Sequence, residues 1–172
     1  MTRAMRPITE PTLDLIVQPA MLSNDVAYEV LPCDPDMADT AAFCAHYGFA
    51  MEQAANTILV ASKKVAPPKY AACVVLGTTR LDVNKNELLA VKRLSFADEE
   101  TTLGLTGMMI GGSLRLALVI CPSTSTVRSC ARVVMGGGNR SSKLLLNPNE
   151  LTKQPRVVVV EGLARPKRRR RP

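Results

Sequence analysis

Two glycine-rich segments contain the residue types in this sequence that could support chemistry. The first is Thr106-Gly107-Met108-Met109-Ile110-Gly111-Gly112 and the second is Gly136-Gly137-Gly138-Asn139-Arg140-Ser141-Ser142-Lys143. Glycine allows a backbone to approach a ligand closely and to point its N–H groups at it. From spacing alone, however, a helix cap followed by a turn is the favoured interpretation of the first segment.

The second segment has the glycines of a phosphate-binding loop but lacks the G-K-[ST] ending of that motif. It also runs into Lys143-Leu144-Leu145-Leu146, which predicts a strand where a P-loop requires a helix. A P-loop is therefore rejected. We expect a hairpin or strand-edge loop, whose polar side chains could still meet a phosphate or a ribose: Asn139, Arg140, Ser141 and Lys143.

Cysteine and histidine usage argues against a disulfide framework, a metal site or a Cys–His catalytic pair. The five cysteines are an odd number without a C-x-x-C pair: Cys33, Cys44, Cys73, Cys121 and Cys130. Cys73 lies in the apolar run from Tyr70 to Leu76, where a buried small hydrophobic residue is expected. His46 is the only histidine, and residues two apart on a helix, such as Cys44 and His46, point in different directions.

The elements that must position these segments are short. Residues 1–25 contain Pro7, Pro11 and Pro19 without periodicity and predict an extended arm. Helices are predicted over Met37–Tyr47, ending at Gly48, over Asn84–Val91, and from Ala97 to about Gly107. Strands are predicted over 57–62, 70–76, 92–96, 133–135, 143–146 and 156–161. Short strands interrupted by short helices, without a regular βαβ order, predict an α+β domain around a mixed sheet.

The charge distribution places the basic character of the chain in a tail. The 172 residues carry a net charge of +7, and six positive charges fall in the last eight residues: Arg165, Lys167, Arg168, Arg169, Arg170 and Arg171. Without those six, 16 basic residues face 15 acidic ones. We expect residues 164–172 to form a disordered basic tail that attracts phosphate backbones, or else a solvated terminus or import signal. Long apolar runs are absent, so a cytoplasmic single domain without a membrane partner is expected.

Five segments together resemble the YbaK family of free-standing aminoacyl-tRNA deacylases, which are relatives of the editing domain inserted in bacterial prolyl-tRNA synthetases. They occur in family order over about residues 26–163: Tyr28-Glu29-Val30-Leu31-Pro32-Cys33-Asp34-Pro35, Ala55-Asn56-Thr57-Ile58-Leu59-Val60-Ala61-Ser62, Thr79-Arg80-Leu81-Asp82-Val83-Asn84-Lys85, Leu105 to Gly112, and Gly136 to Lys143. The resemblance implies one α+β editing domain over 26–163, with a mixed, mostly antiparallel sheet, a barrel-like core and short helices.

The same resemblance implies a function and a set of site residues. The function is hydrolysis, in trans, of the ester that links a wrong amino acid to the 3′ end of tRNA. No metal and no cofactor are implied, because the substrate's ribose hydroxyl and loop amides position the water and stabilise the oxyanion. The implied catalytic residues are Gly111, Thr106, Gly107 and Asn56, and the implied substrate- or tRNA-binding residues are Gly112, Gly138, Asn139, Arg140, Ser141 and Lys143.

The implied partners are aminoacyl-tRNA and an aminoacyl-tRNA synthetase, with the basic tail Arg165–Arg171 contacting nucleic acid. Two alternatives stay open. One is a non-catalytic module of the same fold that binds tRNA or a synthetase. The other is a small-molecule or nucleotide enzyme that uses the Gly136–Gly138 loop.

Two residues depart from the best-known editing members of the family. Those members have a lysine immediately before the T-[IL]-[LV]-V strand, where this chain has Asn56, and an acidic residue where this chain has Lys143. Both changes also resemble a synthetase-independent branch of the family. We expect them to alter the choice of substrate.

A third departure lies in the loop after Gly112. The family continues G-G-V-T-P-F-G-L and then x-D-L-P-I-Y-V-D, whereas this chain continues with Ser113-Leu114-Arg115. Codons that encode Pro122–Cys130, moved by one base, can encode P-I-Y-V-D-G-P-V-M, and the same shift from Gly112 permits the preceding family segment. We therefore predict that 113–130 is translated out of frame, with impaired activity as a consequence. The alternative is a divergent natural loop.

Overall fold

The computed structural model describes residues 17–84, 91, 93–106, 118–120, 130–155, 157–160 and 162–167. Three helices and ten strands occur in these residues: α1 Val17–Ser23, β1 Tyr28–Pro32, α2 Thr40–Tyr47, β2 Ala55–Ser62, β3 Tyr70–Leu76, β4 Thr79–Leu81, β5 Leu94–Phe96, α3 Glu99–Thr106, β6 Leu118–Ile120, β7 Val133–Gly136, β8 Ser142–Leu146, β9 Val158–Val159 and β10 Ala164–Pro166. Short 3-10 helices occupy Pro35–Met37, Met51–Gln53 and Pro148–Lys153.

The strands form two sheets and a ribbon. The larger sheet has the order β5-β2-β3-β6-β9, the smaller sheet has the order β1-β8-β7, and β4 pairs with β10. The pairs β3–β6 and β6–β9 are parallel, and the other strand pairs are antiparallel. The predicted α+β fold with a mixed, mostly antiparallel sheet is confirmed.

Strand β3 is the centre of the core. Alternate residues of an extended strand point to opposite faces of a sheet. Ala72, Val74 and Leu76 belong to one buried apolar cluster, whereas Ala71, Cys73 and Val75 belong to another. Burial on both faces explains why the strand is an unbroken apolar run. The prediction of a buried Cys73, which is 0% exposed, is confirmed.

The helix expected over Met37–Tyr47 is divided in two. Pro35–Met37 forms a 3-10 turn whose start is capped by Asp34, and α2 begins only at Thr40. The Asp34 carboxylate accepts a hydrogen bond from the N–H of Asp36 at 3.0 Å. The predicted end at Gly48 is confirmed, because this glycine has a left-handed φ of 74° that an L side chain rarely adopts.

The expectation of an extended arm over residues 1–25 is wrong for its last part. Val17–Ser23 forms α1, and Val17 and Met21 are fully buried in the cluster that contains Ala72. Pro19 is accommodated because it lies in the first turn, where the backbone N–H has no helical partner. Residues 1–16 lie outside the described residues.

The expectation of a disordered tail over 164–172 is also wrong for its first residues. Ala164–Pro166 forms β10, paired antiparallel with β4. The N–H of Lys167 then donates to the carbonyl of Thr78 at 3.0 Å. The folded unit therefore extends to Lys167, and residues 168–172 lie outside the described residues.

The remaining predicted elements are partly described. Of the strand expected over 156–161, Val158–Val159 forms β9, and of the strand expected over 92–96, Leu94–Phe96 forms β5. Residues 92, 156 and 161, and most of the helix expected over Asn84–Val91, lie outside the described residues. Helix α3 begins at Glu99. The residue before it, Asp98, caps this start, because its carboxylate accepts a hydrogen bond from the N–H of Thr101 at 2.7 Å. None of the described helices has the length and apolarity that crossing a membrane would require.

Candidate functional site

The two sheets meet at a pocket of about 290 Å³. A bridge between Ala54 and Val134 joins the chain just before β2 to the second residue of β7, so these segments lie side by side. The lining residues come from the start of α2, from β2 and from the β7–β8 hairpin: Ala38, Asp39, Thr40, Phe43, Ala54, Ala55, Asn56, Thr57, Ile58, Val134, Met135, Gly136, Gly138, Asn139, Arg140 and Lys143.

Asn56 is held at this pocket by a contact with α2. The hydroxyl of Thr40 donates to Asn56 Oδ1 at 2.6 Å. This hydrogen bond determines the orientation of the amide and occupies its acceptor. Among the described residues, no protein acceptor takes a hydrogen bond from Asn56 Nδ2, so the amide N–H₂ group is available to a ligand in the pocket.

Lys143 brings a positive charge to the pocket. Its Nζ donates to the carbonyl of Ala38 at 2.6 Å and lies 5.3 Å from the centre of the Phe43 ring. Burial lowers the pKa of Lys143, the neighbouring Arg140 lowers it further, and Cys33, Asp39 and Cys44 act in the opposite direction. The described contacts of the Lys143 amine therefore offset only part of the cost of burying its charge.

The β7–β8 hairpin is ordered by Asn139. Its Oδ1 accepts hydrogen bonds from the N–H of Ser141 at 3.0 Å, from the Ser141 hydroxyl at 3.2 Å and from the Ser142 hydroxyl at 2.7 Å. Gly138 has a φ of 95°, which permits the tight turn. The prediction of a hairpin at this glycine segment is confirmed.

Arg140 is the residue of the hairpin that reaches back across the pocket. Its Nε and Nη2 donate to the carbonyl of Pro35 at 3.2 and 2.8 Å. Both hydrogen bonds go to a neutral acceptor, so the guanidinium keeps its full charge next to that of Lys143. Two cations at one side of a pocket favour an anionic or strongly polar ligand.

Two cysteines lie beneath this charged side. Burial raises the pKa of the Cys33 thiol and that of the Cys44 thiol, against the opposing effect of the Lys143 ammonium. Both side chains belong to the apolar cluster around Phe43. The raised pKa values keep these thiols protonated, so they act as apolar support for the pocket.

The structure brings together five of the predicted site residues and leaves the others apart or outside its description. Asn56, Gly138, Asn139, Arg140 and Lys143 line one pocket, whereas Ser141 supports the hairpin through Asn139. Thr106 ends α3, and its side chain is not described. Gly107, Gly111 and Gly112 lie outside the described residues.

Asp39, Thr40 and Phe43 are site residues that the sequence analysis missed. Asp39 and Thr40 escaped it because the predicted helix began at Met37, which placed both inside the helix and not at its start. Phe43 lies within α2 as predicted, but its place at the pocket was not predicted. Asp39 is instead at the N-cap position, without a side-chain capping bond, and Thr40 is the first residue of α2. The available signal was the Asp-Thr pair, since both residue types are favoured at helix starts.

The described part of the pocket is suited to holding a carbonyl group or an ester next to anionic groups. Asn56, Lys143 and Arg140 offer hydrogen-bond donors. Asp39 is the one acidic residue among the described lining residues. Paired-carboxylate chemistry would need a second acidic group. Within the described ranges, no cluster of three or more His, Cys, Asp or Glu side chains is arranged to hold a metal ion.

Comparison with known proteins supplies a family. The model of the aminoacyl-tRNA editing domain family matches residues 34–154. The fold is similar to that of a hypothetical protein of known crystal structure, at 23% identity and a TM-score of 0.74, covering 87% of this chain and 99% of that one. It is also similar to a candidate trans-editing enzyme for prolyl-tRNA synthetase, at 20% identity and a TM-score of 0.70, covering 84% of this chain and 92% of that one. No curated protein matches the sequence significantly.

Proposed function

Because the chain belongs to the aminoacyl-tRNA editing domain family, we propose that it hydrolyses in trans the ester between a wrong amino acid and the 3′ end of tRNA. The proposed substrate class is aminoacyl-tRNA, and the proposed role is in translation fidelity. A synthetase is the proposed protein partner, since mischarged tRNA originates there, and the cytoplasm is the proposed location.

The observation that carries this proposal is the pocket between the two sheets. Its volume of about 290 Å³ is just below the roughly 300–1,000 Å³ typical of small-molecule sites. Such a volume accommodates an aminoacyl ester, whereas the rest of a tRNA must remain outside. The apolar side chains of Phe43, Ile58 and Val134 would surround the amino acid, and the polar groups would face the ester.

Each polar group has a distinct proposed role. The Nδ2 of Asn56, oriented by Thr40, donates to a carbonyl oxygen or to another acceptor on the aminoacyl group. Arg140, together with Lys143, attracts the phosphates next to the terminal adenosine. We assign the positioning of the attacking water to the substrate's own ribose hydroxyl, as the family resemblance implies. The described lining contains no histidine that could take this role.

The oxyanion of the tetrahedral intermediate needs preorganised donors. We assign these donors to backbone amides of the Thr106–Gly112 segment, with Gly111 at the scissile ester, and this assignment rests on the family resemblance alone. Gly112 is assigned to the same loop. In this assignment, Asn56 acts on the amino acid and the amides of the loop act on the ester.

The test is a deacylation assay with tRNAs charged with non-cognate small amino acids. The protein with 113–130 restored to the alternative frame should hydrolyse at least one of them well above the uncatalysed rate, and the present chain should hydrolyse it more slowly. Asn56→Ala should lower kcat/KM on that substrate by about tenfold, the scale of one lost hydrogen bond, and should change the ranking of the amino acids. Asn149→Ala removes the same side-chain group outside the pocket and is the matched control.

Failure would take a definite form. If both the present chain and the chain with 113–130 restored to the alternative frame bind tRNA but hydrolyse none of the mischarged species, the catalytic proposal is wrong. The alternative of a non-catalytic tRNA-binding module would then describe the chain. If hydrolysis is intact in Asn56→Ala with the same ranking of amino acids, Asn56 has no role in substrate choice.

A further inference from the structure

The β4–β10 ribbon places two arginines directly opposite each other. Arg80 in β4 is the register partner of Arg165 in β10. Directly opposite residues of an antiparallel pair share a face, and so do residues two apart along a strand. Asp82 and Lys167 therefore continue the same face, which carries three cations and one carboxylate.

The carboxylate positions one of these cations without neutralising the face. Asp82 Oδ2 lies 2.6 Å from Arg165 Nη2, with the Asp82 side chain 9% exposed and that of Arg165 73% exposed. Asp82 Oδ1 also accepts a hydrogen bond from the N–H of Asn84 at 3.1 Å. The carboxylate is thus held from below, and it presents the Arg165 guanidinium to solvent in a fixed position.

The other two cations have no anionic partner in the described chain. Lys167 Nζ donates to the carbonyl of Gly77 at 2.8 Å, which positions its charge without cancelling it. Arg80 forms no ion pair with a described residue. Like charges directly opposite each other destabilise a strand pair. An anion from outside the chain would relieve the repulsion among these described cations.

The same face borders a groove of about 690 Å³ that also contains an aromatic ring. Phe96 lines this groove and is 55% exposed, although it lies in the edge strand β5. An exposed aromatic next to arginines is the combination that binds nucleic acid, with bases or riboses on the ring and phosphates on the cations. The groove shares no lining residue with the pocket that contains Asn56.

We propose that the groove between the β4–β10 ribbon and Phe96 is a second RNA-binding surface, which holds the phosphate backbone of the tRNA away from its aminoacylated end. The occupant follows from charge complementarity and rests on the proposed function, which supplies tRNA as the ligand. The sequence after Lys167 continues with four arginines, so the basic tail starts at this surface. The ribbon therefore gives the tail a defined point of attachment.

Equilibrium binding of uncharged tRNA to the full-length protein, measured by fluorescence anisotropy over a series of KCl concentrations, tests this proposal. Arg80→Gln should raise Kd several-fold and reduce the slope of log K against log salt by about 1. Phe96→Leu should raise Kd with little change in slope, because it removes stacking but no charge. Arg93→Gln removes one exposed positive charge outside the groove and is the matched control.

Thermal unfolding shows whether Arg80→Gln weakens tRNA binding directly or by destabilising the fold. Arg80→Gln should have a Tm equal to or above that of the wild type, because it removes the repulsion with Arg165. A Kd and a slope for Arg80→Gln that equal those of Arg93→Gln would overturn the proposal, and so would a lower Tm with unchanged binding. Because uncharged tRNA is the probe, a frame-restored chain that fails to deacylate but shows the Arg80 effect would reject the catalytic proposal and support this one.

Discussion

Lys143 makes the stability of the pocket depend on pH. Burial lowers the pKa of this lysine below its ordinary value of 10.5, so between the two values the unfolded chain binds more protons than the folded one. Stability therefore rises with pH across that window, and the cost of burying the charge is largest below it. The Cys33 and Cys44 thiols, whose pKa values burial raises, act oppositely: their stabilisation is lost as pH rises above their ordinary value of 9.0.

Comparison of the wild type with Lys143→Met isolates the contribution of the Lys143 charge to the free energy of unfolding. The free energy of unfolding of the wild type minus that of this variant should increase as pH is raised from about 7 towards about 10. Urea unfolding at several pH values, under reducing conditions, measures this difference. A difference that stays constant or falls with pH would contradict the assigned burial of the Lys143 charge.

Asn56 and Lys143 line the same pocket, and both depart from the best-known editing members of the family. Asn56→Lys alone should place a second ammonium group near Lys143 and lower the free energy of unfolding by about 1 kcal/mol. Adding Lys143→Asp should recover this loss and shift substrate choice in the deacylation assay. A double-mutant cycle by urea unfolding should give a coupling of about 1 kcal/mol; additive effects would show that the two positions act independently.

At the scale of elements, the β7–β8 hairpin depends on the single side chain of Asn139. The hydroxyl of Ser142, which is 0% exposed, donates to its Oδ1. Asn139→Ala should lower the free energy of unfolding by about 1–3 kcal/mol, because a buried hydroxyl loses its acceptor. Asn139→Asp keeps the acceptor oxygen and is the control. Urea unfolding measures both, and equal stability of Asn139→Ala and wild type would exclude this role.

We predict that the segment Ser113–Cys130 is a second element that affects function. Replacing it by the sequence of the alternative reading frame should raise deacylation well above that of the present chain, since the family loop follows Gly111 directly. In that restored protein, Gly111→Ala should lower the rate by about two to three orders of magnitude, the scale of one lost oxyanion donor. Equal turnover of the restored and present chains would show that 113–130 is not the damaged part, and sequencing the coding DNA checks the frame itself.

At the scale of the whole molecule, the basic C-terminus divides into a structural part and a charged part. Deleting 168–172 should reduce the salt dependence of tRNA binding and leave Tm unchanged, because the described contacts end at Lys167. Deleting 165–172 should also lower Tm, since it removes the pairing with β4 and the Arg165–Asp82 ion pair. Calorimetry and anisotropy on both truncations measure these effects. Equal Tm values for the two truncations would exclude β10 from the stable fold, and an unchanged salt slope would assign the tail to localisation.

Local chemistry allowed part of this molecule to be predicted from the sequence. Tyr70–Leu76 was predicted with its observed bounds, because a β-rich apolar run between turn residues has few other solutions. The turn at Gly48 and the hairpin after Gly136 followed from glycine and polar turn residues, whose preferences act over a few positions. That residues of this hairpin belong to a binding site was implied by the family resemblance and not by local preferences, and it stays a prediction.

The tertiary structure alone decided what these local elements form together. Asn56 and Lys143 are far apart in sequence, and the packing of β2 beside β7, with a bridge between Ala54 and Val134, brings them to one pocket. Burial turned Val17–Ser23 into a helix, although its proline and the absence of periodicity argued for an extended arm. Pairing with β4 likewise incorporated Ala164–Pro166 into the fold. Strand pairing and burial join residues that are distant in sequence, so no local sequence pattern indicates these contacts. The site at the junction of the sheets therefore exists only in the folded chain.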